Sequence, residues 1–263
     1  ITEGLVGSEM CIRDSPRSRN PKEGWVVTCN QQVVDDDYPY FMSVAFAPEY
    51  RAKVLVNYIH KNPKNLTIKN MLEMHNQKYS IPAEKIVSFI KRINFDNLKL
   101  TDVEQSSLDL LENWDFSMHK SSSAASIYSM TREKLVEQII NLNYGGLAKE
   151  TIEWKNYGAV SHVRRFLVPL INEHLGDNKS FLLSNKESWN ELIIKSFKSA
   201  ILILIDKFGD NRKFLSRTKR IGFLPFTSRT VNDGLSLIAV SVPTKIPISS
   251  ARHWCTIFLD SAE

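Results

Sequence analysis

The pattern of hydrophobic residues changes from strand-like to helical shortly after residue 40. Residues 24–34 are rich in β-branched and aromatic side chains and predict a strand. The acidic run Asp35–Asp37 followed by Pro39 predicts a turn, since proline cannot donate to a β-ladder. From about residue 48 to residue 208 the apolar positions recur with helical spacing. The pattern therefore predicts an α+β chain that is mostly helix.

Residues that cap helices mark where several of these helices begin. Thr101 and Glu104 form one capping-box sequence, and Ser188 and Glu191 form a second. Gly209 is placed to end the helix that Ser188 opens. Further helices are expected over 48–60, after Thr67, after Ser80, after Ser122 or Ser123 and around 163–171.

Both ends of the chain differ from the part between them. Residues 1–15 have no periodicity and resemble translated sequencing-adapter sequence, so we expect an artefactual or disordered tail. Residues 210–263 are basic and punctuated by proline, with 235–242 typical of a buried strand. This end is a genuine strand region, a truncated sheet or a frameshifted reading, and its abrupt start favours the frameshift. The partial domain proper is then residues 20–209.

Composition and charge exclude some classes of function. An apolar content of 43% and a charged content of 24% are ordinary for a globular protein. The net charge of +5 is spread over many helical stretches, without the basic face expected of a nucleic-acid-binding protein. The longest apolar run, residues 200–205, is far below the roughly 20 residues that a membrane span needs.

The cysteines, histidines and acidic run give no metal site. Three widely spaced cysteines indicate neither a metal-binding motif nor a disulfide framework. None of the six histidines is part of an HExxH motif, and His75 lies on an apolar helix face, where a core or boundary histidine is expected. For Asp35–Asp37 a solvated turn is favoured over a cation site.

Three stretches together resemble the penicillin acylase (penicillin amidase) family. The first, GWVVTCNQQVVDDDYPYFMSVAFAPEYRAKVL, is similar to the family's Gly-aromatic strand, Asn-Asn pair, Tyr-Pro turn and arginine-bearing helix. The others are NPKNLTIKNMLEMHNQKYSIPAEKIVSFI and SSLDLLENWDFSMHKSSSAASIYSMTREKLVEQI. Their order and spacing cover residues 20–140 closely and residues 140–209 loosely.

The resemblance implies an N-terminal-nucleophile hydrolase with a four-layered αββα fold, of which this chain would be a mainly helical, incomplete portion from the β-chain region. In that family a precursor cuts itself and exposes a serine, which attacks an amide carbonyl with its own α-amino group as base. This nucleophile and the α chain would lie upstream, so the fragment alone is expected to be inactive. The implied substrates are β-lactam side-chain amides, as in antibiotic metabolism, or N-acyl homoserine lactones. The implied location is periplasmic or secreted.

Two residues of this chain align with functional positions of the family. Asn30 takes the place of the oxyanion-hole asparagine, whose amide N–H would stabilise negative charge on the former carbonyl oxygen. Arg51 takes the place of the arginine that supports the active site near the amino group of the nucleophile. Without the surrounding pattern, a turn asparagine and an exposed helix arginine would be the expected interpretations.

The chain also departs from the family at four positions. Gln31 replaces the second asparagine, and Cys29 precedes Asn30, where an inert buried thiol is favoured over a nucleophile. Met42 stands at a calcium-binding carboxylate and is a poor ligand for a hard cation. Calcium is therefore doubtful for this segment, although the complete protein could bind it. Phe116 replaces a glycine after Trp114 and Asp115, which suggests an altered turn.

A non-catalytic helical binding or interaction module is the alternative hypothesis. Such a module would bury the strand 24–34 in its own core, whereas a fragment would leave an apolar flank of that strand exposed. If the hydrolase interpretation holds, Asn30 and Arg51 should share one concave surface that an upstream sheet could complete.

Overall fold

The computed structural model describes residues 16–43, 46–62, 66–95, 98–147, 159–183, 187–208, 238–239 and 255–259. Within these residues it is mainly helical and also contains a three-stranded sheet. The strands are β1 (Trp25–Thr28), β2 (Ile238–Ala239) and β3 (Cys255–Leu259). The helices are α1 (Tyr50–Lys61), α2 (Ile68–His75), α3 (Ile81–Ile90), α4 (Asp102–Glu112), α5 (Ser123–Tyr144), α6 (Ala159–His174) and α7 (Trp189–Phe208). None of these helices is long and apolar enough to cross a membrane.

The chain divides into two compact units. One unit contains residues 1–77 together with 232–263, and the other contains residues 78–231. The first unit therefore carries the sheet, α1 and α2, and the second carries the remaining helices.

In the first unit, β1 packs against α1 and α2 through a small apolar core. β1 pairs antiparallel with β3, and β3 pairs parallel with β2, in the order β1-β3-β2. The indole of Trp25 meets the ring of His60 edge to face at 5.7 Å, so the last turn of α1 contacts the strand. The core consists of buried residues from the strand and both helices: Val27, Cys29, Ala52, Leu55, Ile59, Met71 and Met74.

Strand β1 is shorter than its hydrophobic pattern predicts. We expected a strand over residues 24–34, but the strand ends at Thr28. Asn30 has a φ of 64°, in the left-handed region, which is incompatible with extended backbone. The β-branched residues after it therefore lie in a loop. For the expected strand 235–242, Ile238–Ala239 is a strand, and the other residues of that range lie outside the described part of the chain.

The second unit is a helical core built around α5 and α7. The long helix α5 buries Tyr128, Leu135 and Ile139, and α7 buries Trp189 and Phe197. A polar bridge joins the two helices, because Gln138 Nε2 donates to Ser196 Oγ at 2.7 Å. The Ser196 hydroxyl donates in turn to the carbonyl of Leu192 at 2.6 Å, so this buried hydroxyl is satisfied.

Both predicted capping boxes are present. Thr101 Oγ1 accepts from the backbone N–H of Glu104, and the Glu104 carboxylate accepts from the backbone N–H of Thr101. Ser188 and Glu191 make the same reciprocal pair at the start of α7. The Ser188 hydroxyl also donates to this carboxylate at 3.0 Å, and the backbone and hydroxyl donors of Ser188 hold the pKa of Glu191 below its ordinary value. Gly209 lies outside the described residues.

Phe116 occupies a turn whose backbone still has the conformation that favours glycine. Its φ is 59°, and its carbonyl accepts from the backbone N–H of Ser80 at 3.0 Å. Its ring packs edge to face against Trp114 at 5.7 Å and Tyr79 at 6.1 Å. The replacement of glycine therefore leaves a left-handed backbone at this position, held by a hydrogen bond and aromatic contacts.

Substitutions at Phe116 should separate backbone strain from side-chain packing. Both Phe116→Ala and Phe116→Gly lose the aromatic contacts, but only glycine also removes the left-handed penalty of about 1–2 kcal/mol. We expect Phe116→Gly to be the more stable of the two variants by about 1 kcal/mol in urea unfolding. The usual order, with alanine more stable than glycine, would contradict the strained backbone.

Candidate functional site

Asn30 lies directly after β1, at the end of the strand and on the protein surface. The residue before it is fully buried, whereas Asn30 itself is exposed. Its left-handed φ of 64° turns the chain away from the strand direction, and asparagine tolerates this conformation better than most residues. The position therefore presents a short polar amide at the end of a strand.

Arg51, in the first turn of α1, contacts the segment around Asn30 through one guanidinium nitrogen. Arg51 Nη2 donates to the Cys29 carbonyl at 2.6 Å and to Asn30 Oδ1 at 3.1 Å. A guanidinium has only donors, so it must face the oxygen of the Asn30 amide and not its nitrogen. The structure thus brings together the two residues that the sequence singled out, and it fixes which way the amide points.

The hydrogen bonds that the structure describes for Asn30 do not use its amide nitrogen, Nδ2. The Asn30 carbonyl accepts from the backbone N–H of Ala47 at 2.7 Å. The hydrogen bonds of Asn30 within the described part of the chain use its two oxygens and leave Nδ2 out. Because Asn30 is exposed and its Oδ1 faces Arg51, Nδ2 lies on the side of the amide away from the guanidinium, where it can serve as an N–H donor.

Gln31 belongs to the same arrangement, although the sequence indicated only that it departs from the family. Its Oε1 accepts from the backbone N–H of Cys29, and its Nε2 donates to the Val27 carbonyl at 3.0 Å. Gln32, the next residue, instead donates to Asp36 at 2.9 Å on the exposed surface. In the sequence, Gln31 stood out only because it replaces the family's second asparagine. Its role becomes visible only in the structure, where its side chain folds back onto β1.

Cys29 is buried and disulfide-bonded. The favoured interpretation of an inert buried thiol was therefore wrong, and a disulfide sulfur is not a nucleophilic thiolate either. The chain has two other cysteines, Cys11 and Cys255. Thr28 pairs with Thr256 across β1 and β3, so position 255 lies opposite position 29 in this register.

The described residues provide no calcium site next to Asn30. Asp35–Asp37 is exposed in a turn closed by the Tyr38 N–H and the Asp35 carbonyl, as expected for a solvated turn. Met42 offers a soft thioether, which does not fit calcium. Among the described residues there is no group of three or more His, Cys, Asp or Glu side chains that could hold a metal ion.

His75 does not take part in the site around Asn30. It is the last residue of α2 and is half-buried, and burial lowers the pKa of its imidazole because the charged form is disfavoured. The structure thus places His75 at the boundary of the small core.

Comparison with known proteins identifies the family of this chain. The arrangement described above is a surface amide held by an arginine at the end of a strand, which is suited to binding an anionic oxygen. The family model described as penicillin amidase matches residues 10–246. The chain belongs to the penicillin amidase family, and this membership indicates an amidohydrolase. A search of curated proteins found no match.

The disulfide can be tested by counting thiols. Three cysteines less the two of one disulfide leave one, so we expect one free thiol per unfolded, non-reduced chain. Because of the strand register, we expect peptide mapping to connect Cys29 with Cys255 and not with Cys11. Reduction should lower the free energy of unfolding by about 2–4 kcal/mol. Three free thiols would contradict the disulfide.

Proposed function

We propose that this chain is part of an amidohydrolase that removes acyl groups from amines, with Asn30 as an oxyanion-hole donor. An N-terminal serine outside this chain would attack the amide carbonyl. Family membership and the geometry at the end of β1 support this proposal. The observation that carries it is the contact between Arg51 Nη2 and Asn30 Oδ1, which turns the Asn30 Nδ2 donor away from the guanidinium.

This geometry suits the charge that develops during acyl transfer. Attack of a hydroxyl oxygen on the amide carbon converts the carbonyl oxygen into an alkoxide, which needs N–H donors already in position. The Asn30 amide needs no reorientation, since Arg51 donates to its oxygen at 3.1 Å. The guanidinium also polarises the amide and strengthens Nδ2 as a donor. Arg51 thus acts through Asn30, as a fixed positive group behind it.

The substrate and the cellular location are finer parts of the proposal. β-Lactam side-chain amides and N-acyl homoserine lactones are the substrate classes that the family resemblance implies. A periplasmic or secreted location is supported by the Cys29 disulfide, since such bonds persist mainly in oxidising compartments. The complete protein would have the αββα fold, with an upstream α chain and an autoprocessed precursor. Calcium, if the complete protein binds it, would need ligands other than Met42.

Two observations favour the alternative, a binding or interaction module. Val27 and Cys29 are buried in the core of their own unit, as a self-contained module would bury its strand. Ile68 and Leu72 lie one turn apart on α2 and are 83% and 59% exposed, which suits a contact face. Neither observation accounts for the contact between Arg51 and Asn30. A catalytic test decides between the two.

The role of Asn30 is tested most sharply by replacing it with aspartate, which has nearly the same shape. In the complete, processed enzyme, Asn30→Asp can keep an oxygen towards Arg51 but replaces the Nδ2 donor with an acceptor. We expect kcat to fall about 10²–10³-fold with little change in KM, as for the loss of one oxyanion donor. Arg51→Lys replaces the rigid guanidinium with a flexible ammonium that holds the Asn30 amide less firmly, and it should lower kcat about tenfold. Rates are expressed per nucleophile titrated, so that defects in processing are separated from defects in turnover.

Lys53 provides the matched control on the same helix. Its exposed ion pair with Glu49, at 2.6 Å, should contribute little, so Lys53→Ala should retain wild-type kcat. Wild-type kcat in Asn30→Asp would overturn the oxyanion assignment. Any burst with an activated acyl amide from purified residues 1–263 alone would contradict a nucleophile located outside this chain.

A further inference from the structure

The side chain of Gln31 ties down the backbone on the N-terminal side of Asn30. One amide accepts from the N–H of Cys29 and donates to the carbonyl of Val27 at 3.0 Å. These two backbone groups belong to residues two apart in the chain, so they point to the same edge of β1. The Gln31 amide therefore gives the end of the strand the donor and acceptor that a neighbouring strand would supply.

The effect of this contact falls on the conformation of Asn30. Gln31 holds the N–H of Cys29, and Arg51 holds its carbonyl at 2.6 Å. The peptide groups on both sides of Cys29, including the one that leads into Asn30, are therefore held by hydrogen bonds. Asn30 has a left-handed φ of 64°, a conformation that asparagine tolerates and that its hydrogen-bonded surroundings stabilise. Gln31, the residue immediately after Asn30, supplies part of this stabilisation.

The chemistry at this position requires a long, neutral amide. A glutamate keeps the acceptor for Cys29 but has no donor for the Val27 carbonyl unless its carboxyl is protonated. An asparagine is one methylene shorter than the side chain that spans the two backbone groups. Gln32 is a natural control, because it has the same side chain one residue later but donates to Asp36 and, within the described residues, makes no hydrogen bond to β1.

We infer that Gln31 is a positioning residue for the hydrolysis reaction, which acts by holding Asn30 in the conformation that directs its amide nitrogen outwards. The inference rests on the proposed function of Asn30 as an oxyanion donor. It assigns to Gln31 no contact with the substrate. Loss of its side chain should therefore lower kcat while KM stays nearly constant.

The test compares Gln31→Ala, Gln31→Glu and Gln32→Ala in the complete, processed enzyme. We expect about a tenfold loss of kcat in Gln31→Ala and none in Gln32→Ala. Gln31→Glu should resemble Gln31→Ala at neutral pH. Its activity relative to wild type should recover as pH falls towards about 4, where a glutamic acid carboxyl gains a proton and can donate to Val27. A purely structural loss would not return with protonation of that one group.

A double variant separates this inference from the proposed function. If Gln31 acts through Asn30, adding Gln31→Ala to Asn30→Asp should cause no further loss of kcat. Should Asn30→Asp keep full activity, the oxyanion assignment fails and the role of Gln31 fails with it. Should Asn30→Asp lose activity while Gln31→Ala matches Gln32→Ala, only the inference about Gln31 is overturned. A Gln31→Glu activity ratio that is flat with pH would overturn it too, even if Gln31→Ala does not fold.

Discussion

The candidate site depends on a single guanidinium nitrogen that donates to two oxygens of adjacent residues. Arg51 Nη2 reaches the carbonyl of Cys29 and the side-chain oxygen of Asn30. The guanidinium is a permanent cation with only donors, so it can bind the Asn30 amide only through the amide oxygen. The amide N–H groups of Asn30 must therefore point away from Arg51. The orientation of the functional group is thus decided by the helix behind it and not by the strand that carries it.

The sequence predicts the parts of the fold that depend on contacts between residues close together in the chain better than the parts that depend on distant residues. The capping boxes at Thr101 and Ser188 join residues three apart, and both helices begin where the sequence predicts. The strand was predicted too long, because the left-handed turn at Asn30 is held partly by Arg51, 21 residues away. β3 was not predicted at all, since its pairing with β1 joins segments at opposite ends of the chain.

Phe116 illustrates how a local rule is overridden by its surroundings. A phenylalanine in place of glycine predicts a changed turn, because a side chain disfavours positive φ. The backbone keeps φ at 59° nevertheless, since the Ser80 N–H donates to the Phe116 carbonyl and Trp114 packs on its ring. Strain of this kind persists only where several contacts oppose its release. Asn30 tolerates positive φ better than phenylalanine does, and hydrogen bonds to Cys29 and to the carbonyl of Asn30 hold its turn as well.

A strand of four residues is too short to fix a catalytic geometry through its ladder alone, since small isolated β-structures are marginal in water. At β1 the missing rigidity comes from side chains and a covalent bond: Gln31 closes back onto the strand, Arg51 holds its last carbonyl, and Cys29 is disulfide-bonded within the core. Each of these contacts fixes the segment that precedes Asn30, and none of them occupies Asn30 Nδ2. Under the proposed role of Asn30, stability and function are separable, because the groups that hold the turn are different from the group that the turn presents.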